Sequence, residues 1–456
     1  MPYIPHTHED IEAMLASIGV AKTTDLFDEV PPALLYGELK NIPSGLSEMA
    51  MLKDAQRLAD KNQNGLCFLG AGSYEHHIPA AVWDIASRGE FLTAYTPYQA
   101  EASQGTLQLL YEFQTMIAEL TGLDVANASM YDGATALAEA ILMAVRINKK
   151  SKTNRVLVVG TLHPLYRETV ETIVRTQHIE VITLPFDEKQ GITALSAIEK
   201  YQGEDITALV IPQPNFFGCL EQVDELTDWA RTNQIISIAS VNPVALALLK
   251  PPGLWGEQGV DIACGEGQPL GSPMASGGPY FGFFSTRMEH VRQMPGRLIG
   301  HTLDKDGKTG YSLTLQAREQ HIRRGKATSN ICTNQGLLVT VATIHMSLVG
   351  AQGLLEVARN CHQNTRKLVA ALTEINGVES VFSAPYFHET LLRLNQPVDH
   401  VLKQLADHGI IGGYSVESHY PQLANTMLVC ATEMRTEDDI ALYANSLKQI
   451  MAKRGS

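Results

Sequence analysis

Apolar positions over the first sixty residues recur at helical spacing. In "THEDIEAMLASIG", Ile11, Met14, Leu15 and Ile18 share one face, Thr7 or Asp10 stands near the cap, and Gly19 ends the run. "DEVPPALL" reads as a proline-interrupted connector and "LSEMAMLKDAQRLADKN" as a second amphipathic helix. These segments predict an N-terminal helical arm over residues 1–65. It packs either on a partner subunit or on its own domain.

From about residue 66 the pattern changes. "GTLQLLYEFQTMIAELTG" predicts a long helix with Leu107, Leu110, Tyr111, Met116, Ile117 and Leu120 on the buried stripe, and "ATALAEAILMAVRIN" predicts another. Short apolar runs follow: "RVLVVG" at 155–160, "IEVITLP" at 179–185, "ITALVIP" at 206–212 and "IISIAS" at 235–240. Each is bounded by turn residues and separated from the next by a helical stretch. That rhythm predicts an α/β fold over 66–330, a mainly parallel sheet covered on both faces. Around residue 331 the rhythm shifts. "NICTNQGLLVTVATIHMSLVG" and "EVARNCHQNTRKLVAALTEI" read as helices. They are followed by strand candidates "VESVFS", "ETLLRLN" and "NTMLVCA" and helices "VDHVLKQLADHG" and "TEDDIALYANSLKQIMAK". A smaller C-terminal α/β domain over 331–456 is expected to close over the large one.

Composition narrows the function. The chain has 456 residues, 45% hydrophobic and 18% charged, an ordinary globular make-up long enough for two or three domains. A net charge of -14 argues against general nucleic-acid binding, which needs clustered cations. The dense basic segment "REQHIRRGK" at 318–326 suits an anionic small molecule or a partner chain. Six scattered cysteines, without CxxC or zinc spacing, read as inert thiols in a reducing compartment. No signal peptide, transit peptide or membrane span is read in the sequence, so a cytoplasmic location is expected.

Four stretches carry candidate chemistry. In "ANASMYDGATALAEA" (126–140), a polar turn with Ser129, Asp132, Gly133 and Thr135 opens a helix. The helix start suits either capping by Asp132 or an anion. His163 follows the strand "RVLVVG". It stands where ligands gather in open sheets, either to stack on an aromatic ring or as a plain loop residue. "TAYTPYQAEASQG" (93–105) is a polar, aromatic loop suited to substrate contact, or a rigid surface loop held by Pro97. "LQAREQHIRRGKATSNICTNQ" (315–335) gathers Arg318, Arg323, Arg324 and Lys326 with Thr328, Ser329 and Asn330, a set that suits bidentate carboxylate recognition or, more plainly, a solvated basic loop, though Ser329 and Asn330 lead straight into an apolar helix and anchor this end. Adjacent His76 and His77 would point to opposite faces, which disfavours a shared metal, and no metal site is expected. "DIACGEGQPLGSPMASGGPYFGFF" (261–284) has the form of a glycine-rich turn that follows a catalytic lysine in enzymes using pyridoxal phosphate (PLP). Yet no lysine lies between Lys250 and Lys305.

Three long stretches, "TAYTPYQAEASQGTLQLLYEFQTMIAELTGLDVANAS", "KPPGLWGEQGVDIACGEGQPLG" and "LQAREQHIRRGKATSNICTNQ", closely resemble the glycine decarboxylase P-protein family. The nearest likeness is to the alpha chain of its two-subunit form, over nearly the whole length. The resemblance implies a PLP-dependent aminotransferase-like (fold type I) large domain. The implied reaction takes glycine and the lipoyl group of H-protein to CO2 and an aminomethyl group on the lipoyl arm. PLP chemistry needs a lysine and usually an acid facing the pyridine nitrogen. Gln268 stands nearest the family's lysine and Asn242 where the acid should end "IISIAS". The resemblance therefore implies PLP held covalently by a beta chain, glycine dehydrogenase subunit 2, in an α2β2 assembly. By the same resemblance Thr96, Thr328, Ser329 and Asn330 approach the cofactor, with the last three near its phosphate. Tyr95, Thr96, Tyr98 and Glu101 line the glycine pocket or lipoyl entry, and His321 and Arg323 shape the carboxylate or lipoyl channel. Two alternatives are weighed: a self-sufficient PLP enzyme using Lys326 or Lys250, and a purely structural or regulatory partner.

Overall fold

The computed structural model describes residues 5–35, 41–62 and 65–452. The chain divides into two units, Met1–Gln63 and Asn64–Ser456. In the first, α1 (His8–Ile18) starts at Thr7. The Thr7 hydroxyl accepts from the Asp10 N–H while the Asp10 carboxylate accepts from the Thr7 N–H, and Gly19 ends the helix at φ 88°. α2 (Glu48–Ala59) is capped by Ser47. Neither helix buries a residue within this chain, and Ile18, Met49 and Leu52 are exposed.

The second unit centres on a seven-stranded sheet ordered β2-β8-β7-β6-β5-β3-β4. Its strands are β2 (Val125–Ala126), β3 (Arg155–Val159), β4 (Glu180–Leu184), β5 (Ala208–Gln213), β6 (Ile236–Val241), β7 (Ile262–Glu266) and β8 (Gly282–Thr286). β3 to β7 run parallel; β8 is antiparallel to β7, and β2 pairs antiparallel with β8. The central strands read as unbroken apolar runs because both faces are covered. Leu157, Val159, Leu209 and Ile211 pack on one face with Phe113 of α4 (Gln104–Thr121) and Leu226 of α8 (Val223–Thr232). Val156, Val158, Ala208 and Val210 pack on the other with Leu137 of α5 (Gly133–Ile147) and Val170 of α6 (Pro164–Val174). α3 (Ala80–Ala86) and α7 (Leu195–Glu199) are short.

The expected stripe on α4 is shifted. Leu109 and Phe113 are buried, whereas Tyr111, Met116 and Leu120 are half-buried. The helix packs against α10 (Gly336–Thr373) and also against a hairpin, β9 (Leu298–Leu303) with β10 (Thr309–Thr314), which the apolar pattern did not predict.

Residues 330–335 precede α10 rather than opening it. The Cys332 N–H donates to the Tyr131 hydroxyl, the Asn334 amide to Ala128 O, and the Gln335 N–H to Ser129 Oγ, so side chains and backbone of residues 128–131 hold this stretch out of the helix. α10 breaks at Gly350 (φ 61°, ψ 179°), leaving two helical segments as the sequence suggested. Its length and apolar make-up would suit a bilayer span, but half of the apolar stretch is buried in this fold.

Beyond residue 331 a four-stranded antiparallel sheet runs β11 (Val378–Ser380), β12 (Glu389–Leu394), β15 (Thr426–Cys430), β14 (Tyr414–Ser415). α11 (Val398–Asp407) and α12 (Glu437–Ala452) supply Val401, Leu405, Tyr443 and Leu447 to its core. β1 (Leu66–Cys67) pairs in parallel with β13 (Ile410–Ile411), which ties the start of this unit to its C-terminal part.

Candidate functional site

Two polar clusters stand out. The first is a cleft at the C-terminal ends of β3, β5, β6 and β7, the place where ligands bind in open α/β sheets. Tyr74, His163, Tyr166, Asn242, Glu266 and Glu389 line it. It holds ≈ 70 Å³ of free space, far less than the ~300 Å³ at the lower end of small-molecule sites.

The residues of this cleft are committed to one another. Gln268 is 0% exposed. Its Oε1 accepts from the Tyr74 N–H at 2.9 Å, and its Nε2 donates to Tyr74 O at 2.9 Å and Ser272 O at 2.8 Å. The Asn242 Oδ1 accepts from the N–H groups of Val244 and Ala245 and so caps the next turn. The Asp132 carboxylate accepts from the Thr135 N–H at 2.7 Å, a capping box at the start of α5. Of the two readings of that helix start, capping is the one realised. His163 caps α6: its Nδ1 accepts from the Leu165 N–H, and its Nε2–H donates to Ala71 O at 2.9 Å. Its ring lies against Tyr166 and Phe216, at 4.9 and 4.8 Å between centroids. Burial lowers its pKa to about 4, against the Ala71 bond. The ring is thus packed against two aromatic side chains of its own chain.

Two acids that the sequence did not single out complete the cleft. The Glu266 Oε2 accepts from the Gly133 N–H at 3.0 Å and its Oε1 from the Gln268 N–H at 3.1 Å. Burial nonetheless pushes its carboxyl up to about 8. The Glu389 Oε1 accepts from the Ala71 N–H and its Oε2 from the Tyr74 hydroxyl, each at 2.6 Å, and burial raises it to about 7. Cleft and cofactor do not match. Where the resemblance puts the amine that PLP requires stands an amide locked by three hydrogen bonds, where it puts the pyridine-facing acid stands a neutral amide, and a carboxyl meets the start of α5.

The second cluster joins the two loops singled out above. Tyr98 and His321 meet with ring centroids 5.1 Å apart. Beneath them lies a buried ion pair, Arg297 Nε to Glu319 Oε2 at 3.4 Å, with side chains 4% and 8% exposed. Arg297 Nη2 donates to the Tyr98 hydroxyl at 3.3 Å, and its guanidinium lies 5.4 Å from the Tyr98 ring centroid. His321 Nδ1 is 3.6 Å from the same Glu319 oxygen. Arg297 and Glu319 were missed because a lone charged residue has no periodicity; only the hairpin returns Arg297 to this place.

The other expected residues lie on the same two loops. Thr96 is half-buried, and its carbonyl accepts from the Tyr98 N–H. Tyr95 is 87% exposed, and Glu101 lies exposed on the turn Ala100–Ala102. α9 (Gln320–Arg323) carries Arg323, whose Nε donates to Ala317 O at 2.9 Å. The Thr328 N–H donates to Arg318 O, the Ser329 Oγ accepts from the Ile331 N–H, and Asn330 is exposed. Arg318 donates to the carbonyls of Met294 and Gly296, so it anchors the segment.

Elsewhere, His76 Nδ1 and the Cys361 thiol contact one oxygen of Glu433 at 2.8 and 3.2 Å, and the His77 N–H takes the other at 2.7 Å. Burial opposes charge on Glu433, but these bonds outweigh it and hold its pKa at about 2. The thiols of Cys219, Cys264, Cys361 and Cys430 are buried with raised pKa values, which fits inert cysteines.

The comparisons with known proteins agree with this geometry. The family model described as glycine cleavage system P-protein matches residues 1–447. A Legionella pneumophila (strain Corby) protein, "probable glycine dehydrogenase (decarboxylating) subunit 1", is 75% identical over 456 residues, all of both chains. The Nitrosomonas europaea protein of the same name is 58% identical, covering 99% of each chain. A crystal structure of glycine decarboxylase (P-protein) of the glycine cleavage system in inhibitor-bound form superposes with TM-score 0.91 at 42% identity, covering 99% of this chain and 100% of that one. Sphingosine-1-phosphate lyase of Burkholderia pseudomallei, at 14% identity and TM-score 0.66, covering 92% of this chain and 94% of that one, shares the fold. A lysine-free cleft on a PLP-enzyme fold, matched end to end by these relatives, places the chain in one family: it belongs to the glycine cleavage system P-proteins.

Proposed function

We infer that this chain is the lysine-free subunit of a two-subunit glycine decarboxylase, and that a partner subunit holds PLP and supplies the reacting lysine. The observation that carries this reading is Gln268, the nearest match to the family's lysine, whose amide is fixed by three hydrogen bonds. The printed name "subunit 1" of the relatives fits a second subunit.

Bound in the partner, PLP supplies the electron sink that lets glycine lose CO2. The bond from the glycine Cα to its carboxylate breaks. The electron pair left on that carbon forms a bond to one sulfur of the lipoyl disulfide on H-protein; the S–S bond breaks, its pair goes to the other sulfur, and that sulfur takes up a proton. In this reading the chain shapes the chamber. Tyr98 and His321, held by the Arg297–Glu319 pair, form one wall. Exposed Arg323 and Asn330 and half-buried Thr96, Thr328 and Ser329 offer the donors an anionic cofactor or substrate needs. Tyr95 and Glu101, exposed on the 93–101 loop, are assigned to the glycine pocket or the lipoyl entry. Burying these loops against the partner would exclude water from the reacting carbon. A two-fold pairing of such heterodimers gives α2β2, and the reducing cytoplasm suits six free cysteines.

The test is Arg323→Ala and Asn330→Ala in the reconstituted pair, read as glycine-dependent CO2 exchange with H-protein. Both side chains are exposed, so each variant should keep its stability and lose activity. Full activity in both removes them from the site. If activity survives every such change but fails on loss of the arm, the chain is a structural partner.

A further inference from the structure

The start of a helix is an anion site, because its first N–H groups lack partners and its dipole is positive there. α5 has fifteen residues, and its start meets two residues that line the cleft, Glu266 and Tyr166. In this chain its start is filled from within. The last residue of β7, Glu266, places Oε2 on the Gly133 N–H at 3.0 Å, while Asp132 takes the Thr135 N–H at 2.7 Å. Space is closed as well. A Cβ on Gly133 would lie 2.3 Å from the Tyr166 hydroxyl and 2.8 Å from Glu266 N. Charged or protonated, the Glu266 carboxyl presents an accepting oxygen where an external oxyanion would dock.

We propose that Glu266 is a built-in occupant of the α5 anion position, and that it keeps phosphate-bearing ligands, PLP among them, out of this chain's own cleft. The missing lysine removes only covalent attachment; a phosphate could still be held by the helix start and the backbone around it. Glu266 removes that second mode of binding. Non-covalent capture of cofactor by this chain is thereby closed, which leaves the cofactor to the partner. The inference rests on the cleft geometry alone and does not depend on the roles assigned to residues 93–101 and 318–330.

Equilibrium dialysis of the full-length chain against PLP and, separately, against inorganic phosphate tests it. Wild type and Glu266→Gln, which keeps the accepting oxygen in place, should bind neither probe measurably. Glu266→Ala should bind both at least ~tenfold more tightly than wild type, with phosphate displacing PLP, and its melting temperature should rise on adding phosphate. Should the alanine variant fail to fold, Glu266→Ser, which keeps a short polar side chain, carries the same expectation. Wild type that binds PLP competitively with phosphate would overturn the proposal. So would a folded Ala or Ser variant that binds no better than wild type, or a Gln variant that binds as the Ala variant is expected to.

Discussion

Replacing Glu319 by Gln isolates the charge that supports the Tyr98–His321 wall. The side chain keeps its size, and the carboxylate facing Arg297 at 3.4 Å disappears. At an effective dielectric of about 20, two unit charges at that distance interact by about 5 kcal/mol. Breaking a buried pair from one side costs ~3–5 kcal/mol, because the surviving charge stays buried. At ~2.1 cal/mol/K of unfolding entropy per residue, a unit of about 400 residues melts roughly 4–6 °C lower. Glycine turnover in the assembled enzyme should fall about tenfold or more, since His321 and Tyr98 lose the group that orients them. Arg297→Met should behave similarly, and the double variant should recover much of the stability, since neither charge is then stranded. Calorimetry of the four proteins decides it. Single variants within ~0.5 kcal/mol of wild type, or a double variant that loses the sum of the singles, would refute the reasoning.

Three further outcomes follow from the buried acids and from Gln268. Glu433, held at about 2 against an ordinary 4.5, contributes about 3 kcal/mol that is present above pH 4.5 and lost as pH falls toward 2; acid unfolding of Glu433→Gln should lack that loss. Glu389 has the opposite sign. With its folded pKa raised to about 7, its contribution is full below pH 4.5 and fades as pH rises through 7, by about 3 kcal/mol, and Glu389→Gln should flatten that part of a stability–pH curve. Gln268→Lys should destabilise the chain by ~2–4 kcal/mol in denaturant titrations, because the Tyr74 N–H loses its acceptor and a charge enters a dry site. It should gain no covalent cofactor, as judged by the mass of the borohydride-reduced protein.

The sequence shows the scaffold more clearly than the site. β3 and β4 lie within their apolar runs and β5 and β6 overrun theirs by one residue each; the central strands are apolar throughout because both their faces are covered. Thr7 and Gly19 bound α1 as their capping chemistry requires, and Gly350 divides α10 where the helical pattern pauses. The β9–β10 hairpin was missed; its strands are partly exposed and carry no continuous apolar run. Its loss hid Arg297, and with it the partner of Glu319. Glu266 and Glu389 were invisible for another reason: each acts through the backbone N–H of a residue more than a hundred positions away. Tyr98 and His321, picked from two separate polar loops, do come together.

Which polypeptide carries the cofactor is the most direct question to put to this account. Co-purify the chain with its partner, reduce with borohydride, and weigh each subunit by mass spectrometry. The account predicts the mass of a reduced pyridoxyl phosphate group on the partner alone, no such mass on this chain, and no glycine turnover by this chain in isolation. A pyridoxyl adduct on Lys250, Lys326 or any other lysine of this chain, together with turnover by the chain alone, would contradict it.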